Sequence, residues 1–309
     1  MKWFLAGNRG LVGTNFSNTY SCTGVNTSTC DLEKYSETLF ALYKENPTHV
    51  MINAATVGGI MDDIKYPFDI YIRNMTKQNN IFKACKELNI KNVLLQGSTC
   101  SYPATEDKFI EEDLFKGKPH ESYLSSALIK LIGLEQCRAA NKLYNFNWKT
   151  AVLTNLFGPY DKVGEIAHAT GAIMEKFVNN NGIIEIWGSG KQERDFTFVE
   201  DIVDGCILAA QSTDTSPINL GTGKKYSVME VVSMICEIMN WKPSSFQFDK
   251  SKPSGALSRA LDNSRAKEIL GWEPKISIKE GLKQTIDWYV KTHQPTGKIS
   301  ETKLLEHQS

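Results

Sequence analysis

Charge of one sign is missing from this chain: 35 Lys and Arg offset 35 Asp and Glu across 309 residues. Such a balance offers no electrostatic footprint for a nucleic acid or an anionic membrane surface, so neither is expected as a partner. No apolar run is long enough to cross a bilayer. The first residues read as a β-strand and lack a signal-peptide pattern. No Cys-x-x-Cys occurs, and the seven cysteines (Cys22, Cys30, Cys85, Cys100, Cys137, Cys206 and Cys236) are scattered and odd in number. Free thiols in a reducing, cytoplasmic setting are therefore expected. None of the five histidines, His49, His120, His168, His293 and His307, has ligand spacing to a cysteine or carboxylate, so no metal site is expected. Internal repeats and low-complexity tracts are also absent. What remains is an ordinary globular composition, long enough for one large domain or one and a half.

What is present starts at the N-terminus. Lys2–Ala6 is a short apolar run that leads into Gly7-Asn8-Arg9-Gly10-Leu11-Val12-Gly13. This is G-x-x-G-x-x-G between a strand and a helix. Glycines let backbone approach a pyrophosphate, and the following helix turns its positive end toward the phosphates. A nucleotide cofactor is expected there. Strand and helix patterns then alternate: helical 32–45, a strand over 48–55, helical 67–88, a strand over 92–96, helical 121–144 and a strand over 150–153. Pro67 suits the first turn of its helix. Continuous apolar strands alternating with helices predict a Rossmann-type, doubly wound parallel sheet covered on both faces.

Between Gly13 and Asp31 the room is short. Thr14–Asn18 should make barely more than a turn, and Tyr20–Thr23 a short strand. The position that selects the cofactor then falls near Val25 to Thr27, which carries neither an acid for a ribose diol nor a base for a 2′-phosphate. Arg9 is the nearest phosphate partner, which favours NADP, with NAD the alternative. After residue 160 the pattern loosens. Helical stretches at 199–212, 227–239 and 278–293 predict a smaller substrate-binding lobe over 161–293, some of whose segments return to the dinucleotide-binding lobe of 1–160; 294–309 reads as a flexible tail.

At the carboxyl end of the strand 92–96 comes Gly97-Ser98-Thr99-Cys100-Ser101-Tyr102-Pro103. Open α/β sheets bind ligands at that end, although a polar turn alone would look the same. Ser126 and Lys130 lie four apart and share a helix face.

With Ala54-Ala55-Thr56-Val57-Gly58-Gly59-Ile60, Thr154-Asn155-Leu156-Phe157-Gly158-Pro159, Trp187-Gly188-Ser189-Gly190 and Arg194-Asp195-Phe196 added to the two motifs above, the chain resembles the extended short-chain dehydrogenase/reductase family. Within it, the resemblance is to the GDP-L-fucose synthase branch. That likeness implies C3/C5 epimerisation of a GDP-linked 4-keto-6-deoxyhexose, or a related 4-keto sugar nucleotide, followed by NADPH-dependent reduction at C4. Protons beside a ketone are acidic, and inversion needs a base on one face and an acid on the other. The likeness assigns that pair to Cys100 and His168, the carbonyl contact to Ser98, and the nicotinamide ribose to Lys130. The dinucleotide would further meet Gly7 to Gly13, Asp31, Leu32, Ala54, Ala55, Asn155, Leu156, Phe157 and His168. The nucleotide-diphosphate sugar would meet Ser98, Lys176, Trp187, Arg194 and Arg259. A homodimer through two long helices is implied as well.

In two places the chain departs from the family. Pro253-Ser254-Gly255 lacks the usual aspartate. More consequentially, the catalytic tyrosine four residues before the lysine is Ser126. An unperturbed phenol, with a pKa of about 10, can be tuned to donate a proton, whereas a serine hydroxyl is far less acidic and much shorter. Tyr123 lies about 10 Å along the helix axis from Lys130, one turn too far. Three outcomes stand open: Tyr123 serves after all, reduction is lost or weakened while epimerisation through Cys100 and His168 survives, or another acid such as water held by Ser98 and Ser126 takes over. The rival reading is a silent family member that binds a dinucleotide as a regulatory or structural partner. A Cys100–His168 hydrolase would leave the glycine loop without a job.

Overall fold

The computed structural model describes residues 1–55, 59–105, 108–162, 169–179, 182–252 and 258–292. Six strands form its central sheet: β1 (Trp3–Ala6), β2 (Cys22–Val25), β3 (His49–Ile52), β4 (Asn92–Ser98), β5 (Asn147–Leu153) and β6 (Ile218–Leu220), in the order β6-β5-β4-β3-β1-β2. Every neighbouring pair is parallel, with Trp3 opposite both Cys22 and His49. This is the doubly wound sheet expected from the alternation of patterns. The winding reverses between β1 and β3, and crevices at such a reversal open beyond the carboxyl ends of the strands.

Strand pleating explains how both faces are filled, because successive side chains point to opposite sides. Trp3, Leu5, Met51, Leu94, Ala151 and Leu153 pack with α1 (Leu11–Thr19) and α7 (Val199–Gln211). Phe4, Ala6, Val50, Ile52, Val93 and Leu95 pack against α2 (Tyr35–Glu45), α4 (Pro67–Glu87) and α5 (Leu124–Tyr144). Between α2 and α4 lies the short α3 (Gly59–Lys65).

The stretch after the glycine loop corrects the sequence reading. Instead of a single turn over 14–18, α1 runs nine residues from Leu11, inside the motif, to Thr19. The strand is thereby displaced to Cys22–Val25, two residues beyond the expected start. The periodicity there is weak because Val12 and Phe16 are the chief buried apolar residues of α1, along with Gly13 and Asn15. Asn15 is held by its amide, which donates to the carbonyls of Leu11 and Pro159 at 2.8 and 2.9 Å.

A second core gathers Phe157, Phe177, Ile184, Ile186, Phe196, Phe198, Val231, Val232 and Ile235. Its strands pair in twos: 155–157 with 196–198, 183–187 with 245–249, and 193–194 with 226–227. The helix α6 (Ala169–Asn179) lies beside strand 183–187, and α8 (Val228–Ile238) opens with a reciprocal Ser227–Glu230 capping box. Although β6 comes late in the chain, it joins the first sheet beside β5.

Candidate active site

The glycine loop is built by steric necessity. Gly7 has φ of +103°, and a Cβ there would lie 2.8 Å from the backbone nitrogen of Ala54. A Cβ on Gly13 would sit 2.3 Å from the carbonyl oxygen of Gly7. Glycine therefore lets the loop after β1 press against both the loop after β3 and the start of α1. No side chain caps α1 at Gly10, and its first turn carries no acidic residue. Its free N–H groups are left for an anion at the sheet's reversal point. These features fit a dinucleotide pyrophosphate.

The end of β2 is tied to this loop. Asn26 donates its amide to Asn8 Oδ1 at 3.1 Å and accepts from the Ser28 backbone and hydroxyl at 3.0 and 2.6 Å. Arg9 Nη1 donates to Ser28 Oγ at 3.3 Å. A guanidinium thus stands beside the end of β2, next to the glycine loop. Further on, Asp31 donates its backbone N–H to Glu37, and Leu32 is buried. Ala54 and Ala55 follow β3. Asn155, Leu156 and Phe157 lie in the strand paired with Phe196–Phe198.

Beyond β4, Ser98 Oγ accepts from the Cys100 backbone at 3.2 Å, starting a short 3₁₀ turn over Thr99–Ser101. That turn rests on α5, where the Ser101 hydroxyl donates to the carbonyl of Ala127. The Cys100 thiol is half-buried and free. Arg259 reaches it from the second half of the chain: one nitrogen, Nη1, lies 4.0 Å from Cys100 Sγ and donates to Tyr123 Oη at 2.8 Å. Arg194 is buried beside this group, and burial, followed by repulsion from Arg259, lowers its pKa to about 10. Asp195, next to Arg194, ties its strand to the segment two residues beyond Arg259. Its buried carboxylate accepts from Thr222 Oγ at 2.6 Å, from the amides of Thr222 and Gly223, and from the amide of Leu261. Burial raises the pKa of Asp195, opposed by these bonds.

The helix α5 starts with a surprise. Its N-cap residue, Tyr123, caps nothing with its side chain. Asp63 on α3 does so instead, accepting from the Ser126 amide at 3.1 Å, from the Ser126 hydroxyl at 2.9 Å and from the Ser125 hydroxyl. A negative charge at a helix N-terminus is favourable. The Ser126 hydroxyl is thus committed to Asp63. Lys130, one turn on, is half-buried and has no hydrogen-bond partner among the described residues; desolvation lowers its pKa to about 8.

Further out, the ring of Trp187 has two cations near it, with Lys176 Nζ at 5.7 Å and Lys252 Nζ at 5.5 Å from its centroid. Lys176 also donates to the Glu185 carbonyl at 2.9 Å. The indole N–H of Trp187 is buried without a hydrogen-bond partner among the described residues. His168, Thr56-Val57-Gly58 and Pro253-Ser254-Gly255 lie outside the described residues. No cluster of metal-ligating side chains occurs among the described residues.

Sequence reasoning missed Asp63 entirely. Its only trace was the Ser125-Ser126 pair, which marks a helix start needing an acceptor. Tyr123 was weighed by its distance from Lys130 along the helix, whereas the structure turns its phenol toward Arg259, whose Nη1 also approaches Cys100.

Together the glycine loop, the reversal point and the groups beyond β4 define a dinucleotide-binding α/β fold with a cluster of polar and charged side chains at the same sheet edge. The NAD dependent epimerase/dehydratase family model matches residues 4–221, and the chain belongs to that family. A putative GDP-L-fucose synthase 2 of Arabidopsis thaliana is 32% identical over 302 residues, covering 94% of this chain and 92% of the relative. A GDP-6-OMe-4-keto-L-xylo-heptose reductase of Campylobacter jejuni shares the fold with a TM-score of 0.87 at 25% identity, over 94% of this chain and 98% of its own. An NADP-bound GDP-mannoheptose C4 reductase of the same organism gives 0.84 at 26% identity, over 93% and 98%.

Proposed function

We propose that this protein is a nucleotide-sugar enzyme of the GDP-L-fucose synthase type, a 3,5-epimerase and 4-reductase acting on a GDP-linked 4-keto-6-deoxyhexose or a close analogue. The carrying observation is Arg259: it arrives from the later half of the chain and contacts the Cys100 thiol at the mouth of the dinucleotide crevice. NADP is the expected cofactor, with NAD the alternative, and it supplies the hydride when bound. Gly7 to Gly13 would hold its pyrophosphate, Arg9 its 2′-phosphate and Lys130 its nicotinamide ribose.

In this reading Cys100 removes the proton at C3 or C5, and the C–H electron pair delocalises onto the C4 oxygen. Ser98 donates a hydrogen bond to that oxygen, and His168 protonates the carbon from the opposite face. Lys176, Trp187, Arg194 and Arg259 hold the nucleotide diphosphate, since guanidinium and ammonium groups pair with phosphate and an aromatic face covers a base. The chain is read as a dinucleotide lobe over 1–160 and a substrate lobe over 161–293 with returning segments. A homodimer through α4 and α5 is supported by the exposed side chains of Phe68, Ile72 and Ile132 on those helices. Seven free cysteines suit a reducing, cytoplasmic setting. No helix among the described residues is long and apolar enough to cross a membrane.

The test is isotope exchange. Incubated in heavy water with a GDP-4-keto-6-deoxyhexose, the protein should place deuterium at C3 and C5, and Cys100→Ala should abolish the uptake. Complete absence of uptake, with tight NADPH binding, would instead favour a silent dinucleotide-binding partner.

A further inference from the structure

The family phenol is absent at position 126, and its substitute is occupied. Ser126 gives its hydroxyl and its amide to Asp63, so it has no proton to offer a substrate without breaking that cap. Another phenol sits three residues earlier. Tyr123 is only 7% exposed, although it belongs to the loop that opens α5. Its ring is packed on two sides, by His120 at 5.3 Å between centroids and by the Arg259 guanidinium at 4.8 Å. Its oxygen accepts from the same guanidinium nitrogen that approaches Cys100 Sγ.

The local rules of helix capping make this placement more telling. An N-cap favours Ser, Thr, Asp or Asn, whose short side chains accept from the first-turn amides. Tyr123 supplies no such bond, and the cap is delegated to Asp63 on a neighbouring helix. Places where a chain breaks a local rule and compensates elsewhere tend to be functional sites.

We propose that Tyr123 donates the proton to the C4 oxygen during reduction, in the role Ser126 cannot fill. The assignment rests on the reading above that the substrate is a 4-keto sugar nucleotide. A bound reduced dinucleotide would supply the hydride that bonds to C4, and the carbonyl π pair would move to oxygen. That oxygen takes the phenolic proton of Tyr123. The ketone becomes an alcohol, the dinucleotide is oxidised, and solvent reprotonates the phenolate. Arg259, at 2.8 Å from Tyr123 Oη, stabilises the phenolate while it lasts. Placed one turn before Ser126, the donor would approach the sugar from the Cys100 side.

Tyr123→Phe keeps the ring and both packing contacts while removing the proton. General acid catalysis is worth about a hundredfold to ten-thousandfold. The variant should therefore lose about that much of kcat for NADPH oxidation, with KM for the sugar nucleotide within about threefold and deuterium uptake at C3 and C5 retained. With 3,5-difluorotyrosine at position 123, a more acidic phenol, the pH profile of reduction should move to lower pH. In that protein, free of dinucleotide, a GDP-hexose should change the phenolate absorbance, since ring and sugar touch.

Reduction by Tyr123→Phe at the wild-type rate would overturn the assignment, as would a parallel loss of deuterium uptake or an absorbance unmoved by bound GDP-hexose. So would wild-type protein that exchanges deuterium but never oxidises NADPH, an outcome that leaves the epimerase reading intact. Failure of both processes in the wild type would sink the functional reading and this assignment with it.

Discussion

Lys130→Met should make the protein more stable and less active. Lys130 is half-buried, lacks a hydrogen-bond partner among the described residues, and has its pKa lowered from 10.5 to about 8 by desolvation. At about 1.4 kcal/mol per pH unit, that displacement corresponds to roughly 3 kcal/mol of destabilisation while the amine is charged. Water reaching the partly exposed side chain reduces this to about 1–2 kcal/mol. The sign follows from proton binding: between pH 8 and 10.5 the unfolded chain holds the proton that the folded chain has released, so stability rises with pH across that window. Below it the full penalty applies. Without dinucleotide at pH 7, Lys130→Met should therefore gain about 1–2 kcal/mol in urea unfolding, or a Tm higher by roughly 2–5 °C. The gain should shrink as pH rises toward and beyond 10.5, because well above it the wild-type amine is neutral in both states. Equal or lower stability of the variant at pH 7, or a gain that persists undiminished at high pH, would refute the reasoning. NADPH affinity should fall in the same variant, as expected of a charge kept desolvated for a ligand.

Asp63→Ala removes the acceptor of three serine donors at the start of α5. Hydrogen bonds to charged groups are worth about 1.5–3 kcal/mol each and do not add fully, so a loss of about 2–4 kcal/mol is expected in urea unfolding; a loss under about 0.5 kcal/mol would show that Asp63 is no cap. Arg9→Ala should weaken NADPH binding by about tenfold to a hundredfold and leave NADH unchanged, consistent with one charge-assisted bond to a 2′-phosphate. Fluorescence titration of both dinucleotides decides it, and an equal effect on both would remove Arg9 from that role.

Much of the fold was legible because its signals are local. The glycine loop, the apolar strands and the proline opening α4 each announce themselves within a dozen residues. The failure around α1 has the same root: a nine-residue helix with few buried apolar side chains shows little periodicity, and the strand boundary moved with it. The candidate site was legible in a different measure. Ser98, Cys100, Lys130, Arg194 and Arg259 were named through motifs. Yet the contact of Arg259 with Cys100 joins residues 159 positions apart, and no spacing rule predicts it.

By itself the amino-acid sequence determined the sheet architecture, the nucleotide crevice, and the loss of the phenol at position 126. These depend on side-chain type and short-range order. Only the tertiary structure decided that Asp63 holds Ser126 and that one nitrogen of Arg259 meets both Tyr123 and the Cys100 thiol. Those pairings depend on how separate helices and strands meet once their apolar faces are buried.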